Sequence, residues 1–116
     1  QACAPGKAML AFLPDAERAH LIENLDFKAF TQHSILNPFS LQAELAGVRQ
    51  AGYAVDREEH FDGIHCIAAP LLDAHGMPFA AITIAGPSSR IPPARFPDWG
   101  AAIAAAAADA ALGFLL

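Results

Sequence analysis

Cys66, with His65 beside it and Asp56, Glu58 and Glu59 just upstream, is the group in this chain best equipped for chemistry. A thiol next to an imidazole can be a nucleophile with its base, and paired carboxylates can serve as acid and base. Strand parity tests the first idea. Residues 64–72 read as a strand, where neighbours point to opposite faces, so His65 and Cys66 cannot form a dyad. A Cys–His centre would need His20, His33, His60 or His75 folded onto Cys66, and no sequence feature activates the thiol. A metal site from His60, His65 and Cys66 fares no better. The Gly63 turn separates the first from the others, the last two diverge, and no CxxC, HxH or HExxH pattern occurs. No metal and no cofactor is implied. In the acidic segment, alternation puts Asp56 and Glu58 on one face and Val55, Arg57 and Glu59 on the other. Such clusters are ordinarily solvated or paired with arginine, and Arg57 and Arg90 are available. A single Asp at a pocket edge can also accept hydrogen bonds from a ligand hydroxyl.

Two further spots carry polar groups in telling company. Gly6-Lys7 resembles part of a phosphate loop, but that motif needs Gly where Gln1 stands and Ser or Thr where Ala8 stands. What survives is a helix start whose free N–H groups can hold a small carboxylate, or an ordinary helix start. Thr83 lies on the second of two apolar runs joined near Asp73-Ala74-His75-Gly76. An even loop pairs Asp73 with Gly76, Cys66 with Thr83 and Ile64 with Ala85. Thiol and hydroxyl then share an otherwise apolar face, as in a ligand pocket. A one-residue bulge at Gly76 turns Thr83 to the other face instead. Both registers stay open on the residues alone, as does the plain alternative that Cys66 is a small core residue and Thr83 bonds to backbone.

The elements that must position these residues follow from punctuation and periodicity. A helix is predicted over 4–13, with Met9, Phe12 and Leu13 inward, stopped by Pro14. Asp15 caps a second helix over 16–25, with Ala19, Ile22 and Leu25 inward. Residues 26–39 lack periodicity and form a loop. Ser40 caps a third helix over 41–51 that buries Leu41, Leu45 and Val48 and ends at Gly52. Strands follow over 53–59, 64–72 and 78–85. A last helix covers 97–113, with Trp99, Ile103, Ala106, Ala110 and Phe114 on its packed side. Helices first and strands next, without βαβ alternation, predict an α+β fold: an antiparallel sheet with helices on its faces.

Composition narrows the classes. At 116 residues the chain is one domain, and 54% hydrophobic against 16% charged residues is the balance of a folded protein. A net charge of −5 leaves no basic footprint for nucleic acid. No signal peptide or membrane span is visible, and two cysteines are too few for a disulfide scaffold, so a cytoplasmic location is expected. The start at Gln1 leads us to expect an N-terminally truncated domain.

The blocks Gly6-Lys7-Ala8-Met9-Leu10-Ala11, Gly52-Tyr53-Ala54-Val55-Asp56-x-Glu58-Glu59, Cys66-Ile67-Ala68-Ala69-Pro70 and Gly86-Pro87-x-x-Arg90 resemble, in order and spacing, the C-terminal effector-binding domain of IclR-family bacterial transcriptional regulators. The resemblance implies a GAF-like α/β domain over residues 1–116 that binds a small organic metabolite, a carboxylic acid by expectation. It implies a homo-dimer or tetramer that touches DNA only through an N-terminal winged helix-turn-helix domain outside this chain, and no membrane partner. It also implies effector contacts from Ala4 and Pro5 in the loop entering the first helix, from Asp56, Cys66, Thr83 and Ala85, and from Met9 as apolar lining. That set favours the even register. Ala85 stands where some members carry a Ser hydroxyl, and Pro5 removes a backbone donor. A somewhat larger or more apolar acid, aromatic or aliphatic, is therefore expected. The rival readings are a small enzyme using Cys66 or the carboxylates, and a purely structural oligomerisation module.

Overall fold

In the computed structural model, which describes residues 2–115, three helices precede a three-stranded antiparallel sheet and a fourth helix follows it. The helices are α1 (Ala4–Ala11), α2 (Asp15–Glu23), α3 (Pro38–Ala51) and α4 (Phe96–Leu115), the last entered through a 3-10 turn at Pro93–Arg95. The strands are β1 (Ala54–Arg57), β2 (Ile64–Leu72) and β3 (Pro78–Pro87), in the order β1-β2-β3. This is the α+β arrangement expected from the order of elements. Gln1 and Leu116, which bound the expected domain, lie outside the described residues.

Two helix starts differ from expectation. Asn37, not Ser40, caps α3: its side chain accepts the Ser40 N–H at 2.8 Å. Pro38 then supplies a first helical residue whose missing N–H costs nothing. Asp15 is not a cap but the first residue of α2, behind Pro14. Its carboxylate takes Arg18 at 2.5 Å, and that guanidinium holds it below the usual carboxylate range. The end of α3 is as expected. Gly52 adopts φ 87°, where a side chain is strained, and its N–H bonds Val48 O at 2.8 Å.

The sheet separates two cores, one per face. Ala54, Ala68 and Cys66 face a layer made of Ala4, Ala8 and Ala11 of α1, Ile22 of α2 and Leu41, Leu45 and Val48 of α3. Val55, Ile67, Ala69 and Leu71 face Phe96, Ile103, Ala107 and Ala111 of α4. The inward side of α1 is therefore its alanines, spaced three and four apart, and not the expected Met9, Phe12 and Leu13, which are half-buried. Small side chains let the helix axis approach the strands, and the larger ones are left at the flanks. On α2, Ile22 is buried and Leu25 half-buried as expected, whereas Ala19 is exposed. On α4, Trp99, Ile103 and Ala110 pack as expected, but Ala106 is exposed and Phe114 is 73% exposed, its ring meeting Phe79 at 5.7 Å. The buried line runs Gly100, Ile103, Ala107, Ala111. At Gly100 the contact is so close that a Cβ would come within 2.4 Å of the Tyr53 ring.

The hairpin joins features of both open registers. Asp73 N–H bonds Met77 O at 2.9 Å around a loop in which Gly76 has φ 79°, and a second irregularity falls between Leu71 and Leu72. Each moves the pairing by one residue, and two single steps restore the parity. Cys66 therefore pairs with Ala85 rather than Thr83, and Thr83 pairs with Ala68. Thr83 and Ala85 nonetheless keep the face of Cys66.

Candidate small-molecule site

The row Asp56, Cys66, Ala85 crosses the whole sheet on one face, one residue from each strand, with Ala68 and Thr83 forming the next row. The start of α1 stands over this face, Ala4 fully buried and Pro5 half-buried. Strand parity thus brings Asp56, Cys66, Thr83 and Ala85 to one side of the sheet, while Ala4 and Pro5 are the first residues of α1, on which Met9 lies half-buried. Thr83 and Ala85, on the edge strand β3, are exposed.

The row carries one carboxylate and one thiol. Burial and the neighbouring Asp56 carboxylate push the Cys66 thiol above its usual pKa, with a smaller push from Cys3. A thiol so placed is a neutral donor and a poor nucleophile. His65 faces the other core, its ring 5.2 Å from Phe96. Its Nδ1 lies 2.8 Å from Ile91 O; a carbonyl only accepts, so Nδ1 carries the proton. The parity argument against a His65–Cys66 dyad holds.

Asp56 is 3% exposed, and its Oδ1 accepts the Glu59 N–H at 2.7 Å. Here the strand departs from expectation. It ends at Arg57 rather than residue 59, and Glu58 takes φ 58°, which turns the chain back. Glu59 therefore points inward instead of sharing a face with Val55 and Arg57, and it is 4% exposed. Its carboxylate meets Lys7 Nζ at 2.9 Å through both oxygens and takes the Arg57 N–H at 2.9 Å. Lys7 is 0% exposed and also donates to Val55 O at 2.5 Å and to Glu44 at 3.3 Å. Arg57, one of the expected partners of the acidic segment, instead lies 3.6 Å from Glu44.

The buried cluster of Lys7, Glu59 and Glu44 is not among the sequence expectations. The available signal was helical spacing: Lys7 falls on the same side of α1 as Ala4, Ala8 and Ala11. A lysine on the small, inward side of a helix needs a buried acid, and Glu59 is the acid that the turn at Glu58 delivers. The segment 26–39, a loop as expected up to the α3 start, braces the same turn. Thr31 Oγ1 donates to Glu58 O, and Ser34 Oγ to Glu59 O at 2.6 Å.

Concavities lie on either side of the row. A cleft of about 200 Å³ is lined by Ala2, Cys3, Phe30 and His60, where the chain enters α1. A larger apolar groove of about 480 Å³ lies at the other end, between Phe12, Pro70, Leu72 and α4. Neither concavity is lined by any of the seven expected contact residues. Among the described residues no helix is long and apolar enough to cross a membrane.

The same fold occurs in solved regulators. A crystal structure of IclR from Thermotoga maritima superposes with a TM-score of 0.85 at 33% identity, covering 95% of this chain and 44% of that one. The PobR inducer-binding domain from Acinetobacter, a double mutant solved with 3-hydroxybenzoic acid, superposes with a TM-score of 0.81 at 29% identity, over 93% of this chain and 62% of that one. In sequence, the transcriptional repressor IclR of Escherichia coli K12 is 39% identical over 109 residues, 94% of this chain. The family profile described as "Bacterial transcriptional regulator IclR C-terminal" matches residues 1–111. The chain belongs to the IclR family of bacterial transcriptional regulators. It spans about 40% of the length of the Escherichia coli repressor.

Proposed function

We propose that this chain is the effector-binding part of an IclR-type regulator, taking a small organic acid over the sheet beneath α1. The observation that carries this reading is the cross-strand row of Asp56, Cys66 and Ala85 under the start of a helix: few polar groups, set among apolar ones. Ala4, Pro5, Met9 and Thr83 complete the contact set. The contact set lacks a hydroxyl at Ala85 and a backbone donor at Pro5, which favours an aromatic or aliphatic acid over a very small polar one. The complex of the PobR domain with 3-hydroxybenzoic acid is in keeping with that size.

In this reading the protein is a cytoplasmic homo-dimer or tetramer and not an enzyme. A winged helix-turn-helix domain outside these residues makes the DNA contact, and the strongly acidic sensor makes none. The ligand acts by population shift, favouring one packing of α1 and α3 on the sheet and so one arrangement of the distant DNA-binding domains. The test is thermal-shift screening of the full chain, with Asp56→Ala and Cys66→Ala, against a panel of organic acids. Stabilisation of the wild type alone supports sensing. Turnover of any acid would replace the reading with an enzyme, and stabilisation by none with a structural module.

A further inference from the structure

We propose that Lys7 is a positioning residue for this site, fixing the Asp56 carboxylate and the first turn of α1 in one geometry through Glu59. The inference rests on the effector reading above and adds a component that touches no ligand.

The bonds form a continuous chain. Asp56 Oδ1 is held by the N–H of Glu59 at 2.7 Å, and the side chain of that same residue grips Lys7 with both oxygens at 2.9 Å. Lys7 sits on α1 one turn after Ala4 and is also bound to Val55 O, the carbonyl immediately before Asp56, and to Glu44 of α3. One ammonium therefore joins α1, α3 and the end of β1. Stability is a weak reason to keep such a group. A buried ion pair replaced by well-packed apolar side chains is often as stable or more so. What apolar side chains cannot supply is directional register between the Asp56 carboxylate and the helix above it. If a ligand draws the Asp56 carboxylate away from the Glu59 N–H, Glu59 must adjust, and Lys7 carries the adjustment to both helices.

The test separates positioning from mere support. The double variant Lys7→Met/Glu59→Leu removes both charges together and leaves neither buried alone. Its melting temperature is expected to fall modestly, because the Arg57 N–H and the Val55 carbonyl lose their partners. Its Kd for the tightest-bound of glyoxylate, pyruvate and 3-hydroxybenzoate, read by calorimetry on the folded variant, is expected to weaken by about tenfold or more. A folded variant that binds like the wild type overturns the proposal. A second measurement needs neither a ligand nor the folding of the double variant. Asp56→Ala, which removes the acceptor of the Glu59 N–H, is compared with the exposed Asp62→Ala by amide hydrogen exchange along α1. Faster exchange of the α1 amides in Asp56→Ala alone is expected; equal exchange in both overturns the coupling. If the wild type binds none of the acids while Asp56→Ala still loosens α1, the effector reading fails and the coupling stands.

Discussion

Asp56 and Cys66 lie directly opposite one another on β1 and β2, a carboxylate and a protonated thiol side by side under the start of α1. Burial and the carboxylate discourage ionisation of the thiol, which keeps a proton to offer. The pair is a donor beside an acceptor, suited to a ligand that carries both a carboxylate and a hydroxyl.

Replacing Asp56 with Asn, which keeps an acceptor for the Glu59 N–H, is expected to leave melting near wild type and to weaken acid binding by about tenfold, the loss of one good charged contact. Asp56→Ala should weaken binding as much and also cost about 1–3 kcal/mol of stability, because a buried N–H loses its partner. Calorimetric titration and urea denaturation together separate the two effects.

Ala85→Ser adds a hydroxyl beside Cys66 on the exposed edge strand. Affinity for glyoxylate and pyruvate is expected to rise relative to 3-hydroxybenzoate. Calorimetry on both proteins reads the ratio. A wild type that already binds glyoxylate more tightly than aromatic acids would refute the ligand preference drawn from Ala85 and Pro5.

The two thiols should react in a fixed order. Cys3 is exposed and Cys66 is not, and burial with Asp56 keeps the Cys66 thiol protonated. With iodoacetamide at about pH 8, below the raised pKa, Cys3 is expected to label first. The Cys66 rate should still be climbing above about pH 9, where an ordinary thiol has largely ionised. Removing the negative neighbour, as in Asp56→Asn, lowers the thiol pKa and so speeds Cys66 labelling at pH 8. Mass spectrometry of labelled peptides gives each rate.

Gly100→Ala should damage the α4 side of the sheet more than its size implies. The added methyl would stand 2.4 Å from Tyr53, inside contact distance of a ring packed against the core. Overpacking of this kind costs about 1–3 kcal/mol, outweighing the gain in helix propensity from Gly to Ala of about 1 kcal/mol. Pairing it with Tyr53→Ala relieves the clash, so a double-mutant cycle in urea should show strong non-additivity.

The order and type of the elements were legible because periodicity and punctuation agreed: Pro14, Gly52, Gly63 and Gly76 all stand where the chain ends or turns an element. The register was not. It is set by the loop at Asp73–Met77 and the irregularity near Leu72, neither of which has a hydrophobic pattern; only the face of Cys66, Thr83 and Ala85 could be read, because parity survives an even slip. The Lys7–Glu59 bond was hidden for a different reason. It joins residues 52 positions apart through a left-handed turn at a glutamate, where glycine is the expected signal. The α1 face was misread because larger apolar side chains outweigh alanine in any hydrophobic count, although alanine allows the closer approach.

Among the described residues β3 has one neighbour, β2, and it carries a proline at each end. Proline offers no N–H to a second neighbour, so regular pairing along the open side of β3 is confined to the stretch from Phe79 to Gly86. Thr83 and Ala85 lie within it. Any strand that pairs there would set alternate side chains next to theirs, on the plane of Asp56 and Cys66. The breadth of the binding surface would then belong partly to a segment remote in sequence, and selectivity could drift through that segment while the Asp56–Cys66 pair stayed constant.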